Sequence, residues 1–190
     1  MLKRKIAAVA ATVALAGAIA APAAASEVAV TGGSLAFTSA PVAGDFSALT
    51  LDGTTKTTTA AVPAFEVNDS RGTGAGWNIT VQGTQLKEWD GALNAGAGGY
   101  VTGGKTIATS SLALSQPTVA ADGTTSAAPS ITAGPYTIDA GSAVKIASAA
   151  VDTGMGKYDF GATTMTLTVP PNTYAKTYRS DVTVTLATTP

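Results

Sequence analysis

Apolar and polar residues alternate with a period of two along most of the chain. Residues 77–82 read W-N-I-T-V-Q. Residues 164–169 read T-M-T-L-T-V, and in this second segment every polar position is threonine. Side chains two residues apart lie on the same face of a β-strand. Strands with one apolar face and one polar face are typical of antiparallel sheets that cover a shared core. The alternation therefore predicts an all-β protein.

Turn-forming residues divide this alternating pattern into separate strands. The segments are bounded by glycine, proline, aspartate and asparagine, as at Asp52-Gly53 and Pro170-Pro171. Two further segments, residues 94–105 and 120–130, are rich in glycine or turn residues and are expected to be irregular. The predicted strands are residues 28–30, 46–51, 57–62, 65–68, 77–82, 111–115, 144–149, 164–169 and 181–186. About eight or nine antiparallel strands predict a β-sandwich or a Greek-key barrel.

The first residues have the pattern of a secretory signal peptide. A basic head, residues 3–5, precedes an apolar run of 16 residues, 6–21, and the run is followed by Ala23-Ala24-Ala25. Cleavage is expected between Ala25 and Ser26. A retained anchor is the alternative, but a spanning helix needs about 20 apolar residues. We expect a leader helix over residues 1–25 and a single β-domain over residues 26–190, with no membrane contact after cleavage.

Composition excludes several classes of function. The chain has 190 residues, no cysteine and no histidine, so Ser-His-Asp and Cys-His catalysis and Cys/His zinc sites are excluded. Three of its 11 basic residues lie in the leader, which leaves four more acidic than basic residues in the domain. Nucleic acid needs a basic patch and is therefore not an expected partner. The sequence predicts no cofactor and no metal.

The most distinctive stretch is the glycine-rich run from residue 68 to residue 81, N-D-S-R-G-T-G-A-G-W-N-I-T-V. A dinucleotide-binding loop would open a helix, whereas this one leads into a predicted strand. We therefore interpret it as a loop that connects strands, braced by an ion pair or by side-chain-to-backbone bonds. The residues with this structural role are Asp69, Arg71, Gly72, Thr73, Gly74 and Gly76.

Three aromatic residues are candidates for ligand contact. Trp77 shares a strand face with apolar residues, so it is either a core residue or a stacking platform. Trp89 and Tyr100 lie outside clean alternation, and each is either a ligand contact or a loop anchor. Glu88 and Asp90 are acidic, but nothing in the sequence places two carboxylates across a cleft, as a glycan hydrolase needs. We expect that the protein is not an enzyme.

The residues D-S-R-G-T-G-A-G-W-N-I closely resemble the proximal motif of the WxL-domain surface proteins of Gram-positive bacteria. Ile79 stands where that motif usually has leucine, and Val184 stands where the distal motif usually has a second tryptophan, with Leu186 kept. The resemblance also covers residues 51–53, 65–67, 166–170, 174–178, 182–186 and Pro190.

The resemblance implies a secreted protein that attaches non-covalently to the cell wall, with peptidoglycan or another wall glycan as ligand and other surface proteins as possible partners. The alternative function is a structural subunit that self-associates through edge strands into a surface layer or an extracellular matrix. The candidate wall-binding residues are Trp77, Ile79, Trp89, Tyr100, Val184 and Leu186.

Overall fold

The computed structural model describes residues 28–91 and 98–190, and this part of the chain contains fourteen β-strands and no helix. The strands are β1 (Leu35–Ser39), β2 (Lys56–Val62), β3 (Phe65–Asp69), β4 (Trp77–Gly83), β5 (Lys87–Glu88), β6 (Leu112–Leu114), β7 (Val119–Asp122), β8 (Ser130–Ile131), β9 (Tyr136–Thr137), β10 (Val144–Ala149), β11 (Gly156–Phe160), β12 (Thr163–Val169), β13 (Tyr178–Arg179) and β14 (Val182–Ala187).

The strands form four antiparallel sheets. Three sheets have four strands each, in the orders β1-β3-β11-β7, β14-β4-β10-β8 and β2-β12-β6-β9, and β13 pairs with β5 in a two-stranded sheet. The all-β, antiparallel class predicted from the alternation is confirmed. Within the described residues no sheet closes on itself, so the barrel alternative is wrong.

One apolar core lies between the three large sheets. The period of two is visible in the burial of β12, where the odd-numbered residues from Thr163 to Val169 are all buried. Trp77 of β4 contacts Tyr158 and Phe160 of β11, with ring centroids 6.4 Å apart in both pairs. Phe160 stacks in turn on Phe65 of β3 at 4.8 Å. These aromatic contacts join the sheet that contains β4 to the sheet that contains β3 and β11.

Two of the predicted strands are not strands in the structure. Val28 and Val30 are 86% and 89% exposed and take part in no sheet among the described residues. Residues 46–51 form no ladder with β2, although the Thr58 hydroxyl of β2 donates a hydrogen bond to the Ser47 carbonyl at 3.1 Å. Alternation shows that a segment could form a strand, but a strand also needs a neighbour with a matching row of backbone groups.

The structure also adds strands that the sequence did not predict, which raises the number from eight or nine to fourteen. β11 carries two fully buried aromatic residues, Tyr158 and Phe160, at alternate positions. β7 falls in the segment that was expected to be irregular. The two-residue strands β5, β8, β9 and β13 are too short to show any period.

The predicted leader, residues 1–25, and its cleavage site at Ala25 and Ser26 lie outside the described residues. No helix in the described part of the chain has the length and apolarity needed to cross a membrane.

Candidate functional site

The glycine-rich loop between β3 and β4 is held by an ion pair. Asp69, the last residue of β3, accepts hydrogen bonds on both carboxylate oxygens from Nε and Nη2 of Arg71, each at 2.8 Å. Nη2 of Arg71 also donates to the Gly76 carbonyl at 2.8 Å. Hydrogen bonds from Arg71 hold the pKa of Asp69 below its usual range, although burial acts in the opposite direction. Arg71 therefore connects the two ends of the loop.

The glycines of this loop adopt a backbone conformation that other residues avoid. Gly72, Gly74 and Gly76 have φ angles of 68°, 64° and 72°. A Cβ at Gly76 would lie 2.5 Å from the Ala149 carbonyl oxygen, whereas a Cβ at Gly72 would meet nothing within 4 Å. Thr73 helps to shape the turn between them by accepting a bond from the backbone of Ala75.

Trp77 and Ile79, the first and third residues of β4, are completely buried. The indole nitrogen of Trp77 donates to the Gly154 carbonyl at 2.9 Å, so its polar atom is also satisfied inside the protein. Leu186 of β14 lies opposite Ile79 in the ladder and packs against the core. In this structure none of these three residues forms an open platform for a ligand.

Trp89 and Tyr100 lie together at the surface. The two residues pair in an isolated β-bridge, and their rings meet edge to face with centroids 5.2 Å apart. Arg179, the last residue of β13, places its guanidinium 4.5 Å from the centre of the Trp89 ring. Its Nε donates to Asp181 at 3.0 Å, and the Tyr100 hydroxyl donates to the same carboxylate at 2.6 Å. We call these four residues, Trp89, Tyr100, Arg179 and Asp181, the aromatic cluster.

The contacts within the aromatic cluster change the acidity of two of its members. The hydrogen bond from Tyr100, together with that from Arg179, lowers the pKa of Asp181 despite some desolvation. The pKa of Tyr100 is raised by burial and by the adjacent Asp181 carboxylate. Asp181 is therefore an ionised acceptor, and Tyr100 a neutral donor, at any pH near neutrality.

A groove of about 530 Å³ opens beside the aromatic cluster. Residues 41–46 form one side, and residues 177–182, which include Arg179 and Asp181, form the other. Its apolar floor is formed by the buried side chains of Leu86, Leu112 and Met165. A mostly apolar cleft of about 30 Å³ adjoins the groove. The groove and the cleft share the lining residues Pro41, Ala43, Met165 and Val182, and Val184 lines only the cleft.

The structure thus separates the candidate residues into two groups. Trp89 lines the groove, Tyr100 contacts Trp89, and Val184 lines the adjoining cleft. Trp77 and Ile79 belong to the core, and the half-buried Leu186 packs against it, as Val184 also does.

Sequence reasoning did not single out Arg179 and Asp181. The signal that could have found them is the pair of opposite charges at the start of the last alternating run, but the aromatic partners of these two residues are about 80 and 90 residues away in sequence. Within the described residues, no three acidic side chains come together as a metal site would require.

Comparison with known proteins gives one family. The family model described as "WxL domain surface cell wall-binding" matches residues 29–190. No curated protein and no solved structure matches the chain. The matched region includes the glycine-rich loop, the groove and the aromatic cluster.

Proposed function

The chain belongs to the WxL-domain family of surface cell wall-binding proteins, and from this membership we propose that it binds peptidoglycan non-covalently in the groove between residues 41–46 and 177–182. The family places the protein at the cell surface and gives it the wall as a partner. The proposal adds the ligand and the place on the domain where it binds.

The observation that carries the proposal is the composition and size of the groove. A volume of about 530 Å³ lies within the range of roughly 300–1,000 Å³ that is typical of ligand sites. The apolar floor provides contact area, while Asp45, Arg179 and Asp181 provide polar groups on both sides. Peptidoglycan presents both apolar groups and many hydrogen-bonding groups, so its chemistry matches that of the groove.

The same residues support a binding function without catalysis. A glycan hydrolase needs a carboxylic acid with a raised pKa to protonate the leaving group. Asp181, which lines the groove, has a lowered pKa because Tyr100 and Arg179 stabilise its charged form. The chain also contains no histidine or cysteine that could act as a general base or nucleophile.

The test blocks the groove without disturbing the core. Ala43 lines both the groove and the adjoining cleft and is exposed, so Ala43→Trp fills the space while leaving the buried side chains unchanged. Ala48→Trp is the matched control, because Ala48 is exposed on the same segment but does not line the groove. In a sedimentation assay with protein-free sacculi, we expect Ala43→Trp to weaken binding roughly tenfold or more. Equal binding by both variants would overturn the assignment of the groove.

We also propose that residues 1–25 are removed during export, so that the wall-bound protein begins at Ser26. The support is the basic head, the short apolar run and the small residues that end it. Mass spectrometry of the exported protein measures the new N-terminus directly, and an intact Met1 would contradict the proposal.

A further inference from the structure

We propose that the groove binds the peptide component of peptidoglycan in an extended conformation, and that it does not bind the sugar strand. This inference rests on the proposed function, since it names the part of the wall polymer that the same groove recognises. Four features support it: the partly covered aromatic rings, the free edge of β14, the small adjoining cleft, and the charges of the residues that line the groove.

The aromatic residues that line the groove are half-buried, and other side chains cover part of their rings. Sugar rings are commonly bound by stacking their apolar face on an exposed aromatic ring, which supplies a large flat contact area. The ring of Trp89 already has the Arg179 guanidinium 4.5 Å from its centre and the edge-to-face ring of Tyr100 beside it. The two other aromatic residues that line the groove, Phe46 and Tyr178, are packed against the core.

A free strand edge begins at the groove. β14 pairs with β4 on one side, and within the described residues it has no ladder partner on the other. Val182, the first residue of β14, lines the groove beside Asp181, whose own backbone N–H and carbonyl bond to Thr84. On the opposite side, Gly44 donates its backbone N–H to the Ala61 carbonyl of β2, which fixes residues 41–46 beside that strand. An extended peptide recognises a strand edge through its backbone groups, a mode of binding that a glycan cannot reproduce.

The adjoining cleft sets the size of the side chain that would enter. Its volume of about 30 Å³ is close to that of a single water molecule or methyl group. Its lining is mostly apolar and runs from Ala43 and Val182 at the groove to the buried Phe65, Val81 and Ile146 of the core. An alanine-sized side chain fits this space, and the peptides of peptidoglycan are rich in alanine.

The charges at the groove have both signs. Arg179 uses its Nε on Asp181, and the two terminal nitrogens of a guanidinium carry four further N–H donors. Asp45 adds a carboxylate on the opposite side. A short peptide with a carboxylate and an ammonium group complements such a mixed set of charges. An uncharged sugar chain would form no ion pair with these residues.

The experiment compares two forms of the same wall. One form is intact protein-free sacculi, and the other is the glycan strand from which an amidase has removed the peptides. We expect the protein to bind the intact form and to bind the stripped glycan with an affinity that is lower by roughly tenfold or more. Soluble wall peptide should compete with intact sacculi for the protein. Ala43→Trp should lose affinity for that peptide by at least the factor that it loses for sacculi, and Ala48→Trp, the control, should bind like the parent protein.

The possible results separate the two proposals. Equal binding to intact and stripped walls, or competition by soluble sugar chains alone, would overturn the peptide assignment while peptidoglycan binding stands. Failure to bind protein-free sacculi in either form would overturn both proposals. Binding to walls that retain their proteins, and to no others, would then point to a wall protein as the partner.

Discussion

At the scale of single residues, Trp77 and Arg71 hold the two ends of the same loop. Trp77 is fully buried and has its indole nitrogen bonded to Gly154, a residue of the loop between β10 and β11. Arg71 joins Asp69 to the Gly76 carbonyl, immediately before Trp77. Trp77 and Arg71 therefore act on the loop and on the core, and we expect substitutions at these two residues to affect a ligand through the stability of the fold.

Truncating Trp77 is expected to destabilise the whole domain. Trp77→Ala removes a large buried side chain and should cost about 3–5 kcal/mol of unfolding free energy. That is a large share of the roughly 5–15 kcal/mol that a typical domain has. Trp77→Phe should cost less, because it keeps much of the volume and loses mainly the bond to Gly154. Urea unfolding and sacculus sedimentation on the same variants test this, and a Trp77→Ala protein of parental stability that no longer binds would show that the residue contacts the ligand.

Removing Arg71 is expected to leave a buried charge without its partner. The side chain of Asp69 is 1% exposed, so Arg71→Ala should cost about 3 kcal/mol. Lys56→Ala is the control, since it breaks the exposed ion pair with Asp52 and should change stability little. Denaturant unfolding measures both, and similar losses in the two variants would contradict the bracing role of Arg71.

At the scale of elements, the loop between β3 and β4 and the loop after β10 pack against each other. The Asp152 amide donates to the Gly74 carbonyl at 2.8 Å, and a Cβ at Gly74 would lie 2.5 Å from the Asp152 carboxylate. Asp152 itself has a positive φ of 62°, which an aspartate tolerates better than most residues do. The glycines are therefore required for two separate reasons, backbone conformation and close approach.

These two reasons can be separated by a matched pair of substitutions. Gly72→Ala meets no neighbouring atom and should cost only the positive φ, about 1–2 kcal/mol. Gly76→Ala has the same conformational cost, and its Cβ also overlaps the Ala149 carbonyl oxygen, which should add about 1–3 kcal/mol. Thermal and urea unfolding compare the variants, and equal stability of the two would mean that the loops do not pack as closely as described.

At the scale of the whole molecule, stability depends on carboxylates that are held in their charged form. The pKa values of Asp69, Glu88 and Asp181 are all lowered, mainly by hydrogen bonds from Arg71, from the Lys105 backbone and from Tyr100, respectively. The pKa of Asp52 falls to about 2, chiefly through its bond from Lys56. With no histidine in the chain, no side chain has an ordinary pKa between about 5 and 8.

The pH dependence of stability follows from these directions. A carboxyl whose folded pKa lies below its unfolded value stabilises the fold above the unfolded value, about 3.9–4.3, and loses that contribution as the pH falls through the folded value. We expect unfolding free energy to be nearly flat from about pH 8 to pH 5 and to decline below about pH 4. Urea unfolding at several pH values measures it, and Arg71→Ala should show a shallower acid decline. A stability that rises on acidification would contradict the assignment.

The sequence by itself determined the all-β class and most of the core strands. In β4 and β12 the alternation of apolar and polar residues reports the strand directly, because the backbone geometry of a strand sends successive side chains to opposite faces. The long glycine-rich motif likewise identified the family from local residues alone, and the family model matches the same chain over residues 29–190.

The tertiary structure decided which faces are buried, which segments find a strand partner and where the groove lies. Period two could not say whether Trp77 faced the core or solvent, since both faces of a strand alternate equally well. Residues 46–51 are apolar enough to be predicted as a strand, yet they have no ladder, whereas β5 and β13 exist because each is the other's partner. The aromatic cluster joins Trp89 to Arg179 across the chain. Such contacts depend on the pairing of distant strands, and a pattern within one segment carries no information about its neighbour.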